Sequence, residues 1–242
     1  MSQKPLIHFA HANGFPVGCY RFFLDQLRDD YEILSIDKIG HNPNYPITNR
    51  WRYLVEEVHD NILAHQKRTQ NFDPIIGLGH SLGAFLTLLC AHEYPQLFRQ
   101  IIIIEPPMLV GWKAIGWRVL KSFGLQDYLS PAYASRKRRV IFESREQIRE
   151  IYQNKRFFKY FHPECFNDYL NAAFVECPTG VRLAFEREYE VAIFRTVPDR
   201  EHQFKKPTEM PGAFISGKYS DLNKWQMMNH AARYLSYLKQ IE

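Results

Sequence analysis

One pentapeptide constrains the fold of this chain more than any other feature of its 242 residues: GHSLG at 79–83. The apolar run before it, at 74–78, predicts a buried strand, and the apolar run after it, at 82–93, predicts a helix. A chain that passes from strand to helix within one residue has to turn sharply at Ser81. Such a turn strains the serine backbone and leaves room only for small residues on either side, where this sequence has glycines. The pattern therefore predicts a serine hydroxyl held above the edge of a sheet.

The first 106 residues alternate between strand-like and helix-like segments. Short apolar runs predict strands at 6–9, 32–37, 74–78 and 101–104. Amphipathic stripes predict helices at 18–28 and 50–68, with Asn49 as a candidate N-cap of the second. Because strands that alternate with helices pair in parallel, the expected fold is an α/β sheet with functional residues in the loops at the carboxyl ends of its strands.

The regular alternation stops after residue 106. The segment 107–210 is aromatic, basic and helical in its periodicity, and it is predicted to form a cap of helices without buried strands. The sheet is predicted to resume with GAFISG at 212–217. The expected organisation is therefore a core of residues 1–106 and 211–242, with a helical cap of residues 107–210 inserted into it.

The charge and cysteine patterns exclude several classes of protein. The net charge of +5 is located entirely in 107–210, which has 18 Lys and Arg against 13 Asp and Glu. No nucleic-acid recognition motif accompanies these charges, so nucleic acid is not an expected partner. No apolar run approaches the roughly 20 residues of a membrane span. The four scattered cysteines form no CxxC pair and suit a reducing cytoplasm. The basic run at 136–139 predicts a solvated face or, alternatively, a contact for an acidic substrate.

A second motif, HANGFP at 11–16, follows the first predicted strand directly. Acyl transfer needs two N–H donors aimed at the oxyanion that develops during the reaction. One predicted donor is Leu82, the residue after the serine. The other is expected from this loop, where Asn13 or Ala12 is the candidate and Gly14 permits the turn.

Four segments together make the chain resemble the α/β-hydrolase superfamily: HANGFP, GHSLGA, IIIIEPP and GAFISGKYSD. The similarity is to the branch of esterases, lipases and thioesterases that carry a helical cap, and it covers nearly the whole chain. It implies the α/β-hydrolase fold, a mostly parallel sheet flanked by helices with an inserted helical cap. The chain has HANGFP where that family has HG-x-P.

The resemblance also implies where the catalytic acid and base belong. The family's acid follows its seventh strand, which selects Asp221, and Glu105 after the sixth strand is the alternative. The family's histidine follows its eighth strand, but the only histidine after Asp221 is His230, within a predicted helix. The C-terminal strand, loop and helix of the family are therefore expected to be missing, and the strand at 212–216 is expected to lie at an edge of the sheet.

Three functional hypotheses follow from these residues. The first is a serine hydrolase of a small carboxylic ester or thioester, in which Ser81 attacks the carbonyl carbon and the N–H groups of Leu82 and Asn13 bind the oxyanion. The second is C–C bond hydrolysis, lyase or cofactor-free peroxidase chemistry on the same fold. The third is a non-catalytic binding protein, which the lack of a well-placed histidine favours. No metal or organic cofactor is implied.

Overall fold

Six parallel strands form the central sheet of the structure, a computed structural model that describes residues 4–107, 112–123, 131–199, 210–218, 220 and 238–241. Numbered along the chain, the strands of this sheet are β1 Leu6–Ala10, β2 Glu32–Ser35, β3 Ile75–His80, β4 Phe98–Ile104, β8 Gly212–Ile215 and β9 Lys239–Ile241. Their spatial order is β2-β1-β3-β4-β8-β9. The predicted α/β fold with a parallel sheet is therefore confirmed.

Helices cover both faces of this sheet and build much of the segment between β4 and β8. The described helices are α1 Arg21–Asp25, α2 Arg52–Thr69, α3 Leu82–Glu93, α4 Trp112–Ser122, α5 Pro131–Arg136, α6 Arg145–Gln153, α7 Pro163–Ala172 and α8 Arg187–Arg195. Within the described ranges no helix is long and apolar enough to cross a membrane. All four cysteines are free.

The strand β4 shows why the sheet is buried on both faces. Ile101 and Ile103 point into the large core that contains α2 and α3, whereas Ile102 and Ile104 pack on the opposite face against a smaller cluster around Phe9. A strand covered on both sides needs apolar residues at every position, which the run of four isoleucines provides. The sheet is thus a rigid platform whose carboxyl edge carries the loops.

The start of α2 differs from the sequence prediction. The helix begins at Arg52 rather than at Arg50, and Asn49 does not cap it, because Arg50 and Trp51 both have left-handed backbones with φ of 67° and 58°. Trp51 is 1% exposed and its indole N–H donates to the carbonyl oxygen of Ile193 in α8. Burial of this ring against α8 displaces the helix start.

Two further expectations are wrong. The strand at 212–216 does not lie at an edge, because β8 pairs with β4 on one side and with β9 on the other. Residues 239–241 therefore occupy the position of the C-terminal strand that was expected to be missing. Each of these two pairings is parallel, so β9 continues the sheet in the same sense.

The segment 107–210 also contains strands, which the helical pattern did not predict. The strands β5 Ile141–Phe142, β6 Phe174–Cys177 and β7 Gly180–Leu183 form a small antiparallel sheet in the order β5-β7-β6. Phe142, Phe174 and Val181 of this sheet are buried in a core of their own. These strands are two to four residues long, too short for an alternating pattern to be recognised in the sequence.

His8 is a fully buried polar residue of the central sheet. It lies on β1, it is fully buried, and neither ring nitrogen has a hydrogen-bond partner among the described residues. Burial lowers the pKa of His8 to about 4, and the nearby Asn61 side chain opposes the shift only partly. Above this pH the folded protein therefore keeps His8 neutral.

This burial makes the stability of the protein pH-dependent. Between about pH 6.5 and about pH 4 the unfolded chain binds a proton at His8 that the folded chain does not, so stability decreases as the pH falls through this window. We expect His8→Leu to reduce the slope of unfolding free energy against pH by about 1 kcal/mol per unit, measured by urea denaturation. Equal slopes for His8→Leu and wild type would contradict the prediction.

Candidate active site

Ser81 occupies the strained turn that the pentapeptide predicted. It lies between β3 and α3 with φ 52° and ψ −114°, a conformation that non-glycine residues rarely adopt. Its N–H donates to the carbonyl oxygen of Ile104 at 2.8 Å, which fixes the turn against the end of β4. The serine is therefore at the carboxyl edge of the sheet, directly before the first turn of a buried helix.

The two glycines of the pentapeptide are required by backbone packing. A Cβ atom on Gly79 would lie 2.3 Å from the carbonyl oxygen of Gly83, and one on Gly83 would lie 2.0 Å from that of Ala10. In addition, the N–H of Gly83 donates to the carbonyl oxygen of His11 at 3.1 Å. The turn at Ser81 is thus in direct backbone contact with the end of β1 and the loop that follows it.

That loop, residues 11–16 and hereafter the β1 loop, is closed by a turn. The N–H of Phe15 donates to the carbonyl oxygen of Ala12 at 3.1 Å, and Gly14 supplies the positive φ of 77°. The N–H of Ala12 donates to the hydroxyl of Tyr20 at 3.1 Å, so it is already engaged. Within the described residues, the N–H of Asn13 has no acceptor. Of the two candidate donors in this loop, Asn13 is therefore the available one.

His11 fixes the direction in which the N–H of Asn13 points. Its Nδ1–H donates to the carbonyl oxygen of Ala12 at 2.8 Å, while its Nε2 accepts from the N–H of Ile39 at 2.8 Å. Because the peptide between Ala12 and Asn13 is planar, holding its oxygen also aims its N–H. Burial lowers the pKa of His11 to about 4 and keeps the ring neutral. Both ring nitrogens are engaged, so His11 has no nitrogen left to act as a base.

Tyr20 joins the β1 loop to the residue before Ser81. Its hydroxyl accepts the N–H of Ala12, and it lies 2.8 Å from Nδ1 of His80. The phenol oxygen both donates and accepts, so the direction of this bond follows the tautomer of His80. Burial lowers the pKa of His80, and the Glu105 carboxylate opposes that shift.

Glu105 holds the loop that leads to Asp221. Its Oε1 accepts the N–H of Gly217 at 2.6 Å and its Oε2 accepts the hydroxyl of Ser220 at 2.5 Å. Glu105 itself has a positive φ of 52°, and a backbone bond from Ser220 to Gly217 closes the turn. Asp221 follows this turn immediately but, like His230, lies outside the described residues. The structure therefore brings Ser81, Leu82, Asn13 and Glu105 to one edge of the sheet.

The basic run at 136–139 is only partly a solvated face. Arg136, Lys137 and Arg139 are exposed, whereas the guanidinium of Arg138 donates to Glu190 at 2.9 Å and to the hydroxyl of Tyr169 at 2.6 Å. Sequence analysis did not identify Glu190 or Tyr20 as site residues, because no short-range pattern connects either of them with Ser81.

The chain matches one protein-family model and is similar in sequence to several known proteins. A model described as "Alpha/beta hydrolase family" matches residues 9–212. Monoglyceride lipase of Mus musculus is 27% identical over 114 residues, which are 46% of this chain and 37% of that protein. A monoglyceride lipase homolog of Monkeypox virus is 30% identical over 111 residues, 43% of this chain and 38% of that protein. The matched region spans well under half the length of either relative.

Solved structures resemble the whole chain. E-2-(acetamidomethylene)succinate hydrolase is 18% identical with a TM-score of 0.75, covering 99% of this chain and 83% of its own. The thioesterase domain from the curacin biosynthetic pathway is 17% identical with a TM-score of 0.66, covering 98% and 83%. At these identities the likeness shows a shared fold.

The packing of the turn gives a stability prediction. Gly83→Ala is expected to lower the free energy of unfolding by about 3 kcal/mol, because the new methyl group meets rigid backbone at Ala10. Gly116→Ala in α4 is the control, since nothing lies within 4 Å of its added Cβ and alanine favours a helix by roughly 0.5–1 kcal/mol. Urea denaturation measures both, and equal effects would contradict the backbone contact.

Proposed function

The chain belongs to the alpha/beta hydrolase family, and from that premise we propose that it is a serine hydrolase that cleaves a carboxylic ester or thioester through an acyl-enzyme on Ser81. The observation that carries the proposal is the backbone of Ser81 at φ 52°. A conformation that costs about 1–3 kcal/mol persists only where its surroundings enforce it, and such strain clusters at active sites. Here the strain lifts a hydroxyl above the carboxyl edge of the sheet.

Two N–H groups support the binding of an oxyanion beside Ser81. Leu82 opens α3, and the first N–H groups of a helix have no acceptor within the helix. The partial positive charge of the helix start adds to their attraction for an anion. Asn13 supplies the second N–H, whose direction is set by the two hydrogen bonds on the carbonyl oxygen of Ala12. Preorganised donors of this kind stabilise the charge that develops in acyl transfer.

The contacts of Glu105 favour Asp221 as the acid. Each oxygen of the Glu105 carboxylate already accepts a hydrogen bond from the turn 217–220, which suits a supporting role. Asp221 comes directly after that turn and would orient the histidine that takes the proton from Ser81. His11 and the Nδ1 of His80 are engaged in other bonds. His230 is a weak candidate for the base, because its sequence context predicts a helix.

The proposed reaction proceeds in two steps. The base takes the hydroxyl proton of Ser81 while Oγ bonds to the carbonyl carbon, and the alcohol or thiol then leaves with that proton. Water, activated by the same base, releases the acid from the acyl-enzyme. Ester chemistry is supported by the relatives named monoglyceride lipase. The division into a core of residues 1–106 and 211–242 and a cap of residues 107–210 is part of this proposal.

Labelling with a fluorophosphonate probe tests the nucleophile. We expect the probe to label the protein and Ser81→Ala to lose both the label and the hydrolysis of p-nitrophenyl esters, because the attacking hydroxyl is gone. Ser122→Ala, at an exposed serine of α4, is the matched control and should be labelled like the wild type. Undiminished labelling of Ser81→Ala would reject the assignment, and an unlabelled wild type would favour a non-catalytic binding protein.

A pair of amide substitutions tests the acid. Asp221→Asn should lower kcat by about 10⁴, because the base loses the partner that fixes its tautomer. Glu105→Gln should lower kcat less, since the amide oxygen still accepts one of the two hydrogen bonds from the turn 217–220. Steady-state kinetics with p-nitrophenyl acetate measures both variants. The reverse ranking would assign the acid to Glu105.

A further inference from the structure

Glu190 makes the polar contacts between the segment between β4 and β8 and the turn at Asn13–Gly14, while Tyr169 of the same segment packs its ring against Phe15. The carbonyl oxygen of Glu190 in α8 accepts the side-chain Nδ2–H of Asn13 at 3.0 Å. Its carboxylate faces Gly14, where a Cβ atom would lie 3.1 Å from Cδ and 3.2 Å from Oε2. One glutamate therefore contacts both central residues of the turn that presents the N–H of Asn13.

The contact with Asn13 leaves one orientation of its amide. Nδ2 faces a carbonyl oxygen, which accepts but cannot donate, so exchanging the amide nitrogen and oxygen would place two acceptors together. The Oδ1 atom is buried and has no partner among the described residues. Glu190 thus provides the single hydrogen bond that the described residues give to the side chain of Asn13.

Glu190 is itself fixed by residues of the same inserted segment. Ser135 at the end of α5 donates its hydroxyl to Oε1 at 2.8 Å, and Arg138 donates Nη1 to Oε2 at 2.9 Å. The ion pair is largely buried, with side-chain exposures of 16% for Arg138 and 9% for Glu190. Arg138 also donates to the hydroxyl of Tyr169, which belongs to the aromatic core around β5–β7. A continuous chain of contacts therefore leads from that core to the β1 loop.

A buried ion pair adds little net stability compared with apolar residues of the same volume, because desolvation of both charges offsets their attraction. Its distinctive effect is geometric, since the bond from Arg138, together with that from Ser135, holds the carboxylate in one position. Oxyanion donors need this kind of support, because they stabilise the charge only within a narrow range of distances.

We infer that the Arg138–Glu190 ion pair is a positioning device by which the segment between β4 and β8, beside its aromatic contacts with Phe15, holds the β1 loop in its oxyanion-binding geometry. Glu190 acts through Asn13 and Gly14 and touches no reacting atom, so it is a positioning residue. The catalytic consequence rests on the proposed function. The structural coupling is independent of it.

Hydrogen–deuterium exchange tests the coupling without requiring turnover. Glu190→Gln and Arg138→Met should each speed exchange of the amides at 11–15 about 10-fold, because the turn loses its outer support. Glu188→Gln is the matched control on the same helix, since Glu188 is exposed and its ion pair among the described residues is with its neighbour Arg187. Ser135→Ala, which removes one of the two donors to the carboxylate, should have a smaller effect. Unchanged exchange at 11–15 would overturn the inference, as would a uniform increase over the whole chain, which would mean general destabilisation.

Kinetics test the catalytic consequence. Glu190→Gln should lower kcat on a p-nitrophenyl ester by about 10²-fold with KM nearly unchanged, because a displaced donor weakens binding of the transition state and not of the substrate. Affinity for a trifluoromethyl ketone, which forms a tetrahedral adduct, should fall in parallel. A rise in KM at constant kcat would overturn the positioning role. Should Ser81→Ala keep full activity, the proposed function fails, while faster loop exchange in Glu190→Gln would still support the coupling.

Discussion

The contact between the backbone at Gly83 and the end of β1 governs the arrangement of the whole site. It places the first turn of α3 against Ala10, where a Cβ atom would come within 2.0 Å of a carbonyl oxygen. Because this contact is backbone against backbone, it cannot relax by a change of rotamer. The strained Ser81, the start of α3 and the β1 loop are consequently held together by the two central strands β1 and β3, which are hydrogen-bonded neighbours in the sheet.

Around this contact, most polar groups of the β1 loop have a hydrogen-bond partner in the structure. His11, Tyr20 and Phe15 engage the peptide groups on either side of Ala12, and Glu190 engages the side chain of Asn13. Buried polar groups are normally paired, so an N–H left unpaired at the carboxyl edge of a sheet is informative. In the β1 loop the N–H groups of Ala12 and Phe15 have acceptors, whereas the described residues offer none to the N–H of Asn13. This difference identifies Asn13 as the candidate oxyanion donor of the loop.

The sequence correctly predicted the features that depend only on neighbouring residues. The pentapeptide around Ser81 needs only the steric limits of a sharp turn, and the four isoleucines of β4 need only burial on two faces. It did not predict the features that depend on contacts between residues far apart in the chain, or on strands too short to show a pattern. The strands β5–β7 are too short to show a pattern, and α2 starts late because Trp51 is drawn into contact with Ile193, far along the chain.

The sequence by itself determined the α/β class, the strand–turn–helix at Ser81 and the loop that faces it, because each depends on neighbouring residues and on the period of apolar positions. Only the tertiary structure decided that the N–H of Ala12 has an acceptor, whereas that of Asn13 has none among the residues the structure describes. It also decided that Glu105 accepts hydrogen bonds from Gly217 and Ser220 and that Arg138 is buried against Glu190. These outcomes join residues that lie between eight and 115 positions apart. Hydrogen-bond partners at such separations are chosen by packing, which no short pattern in the sequence records.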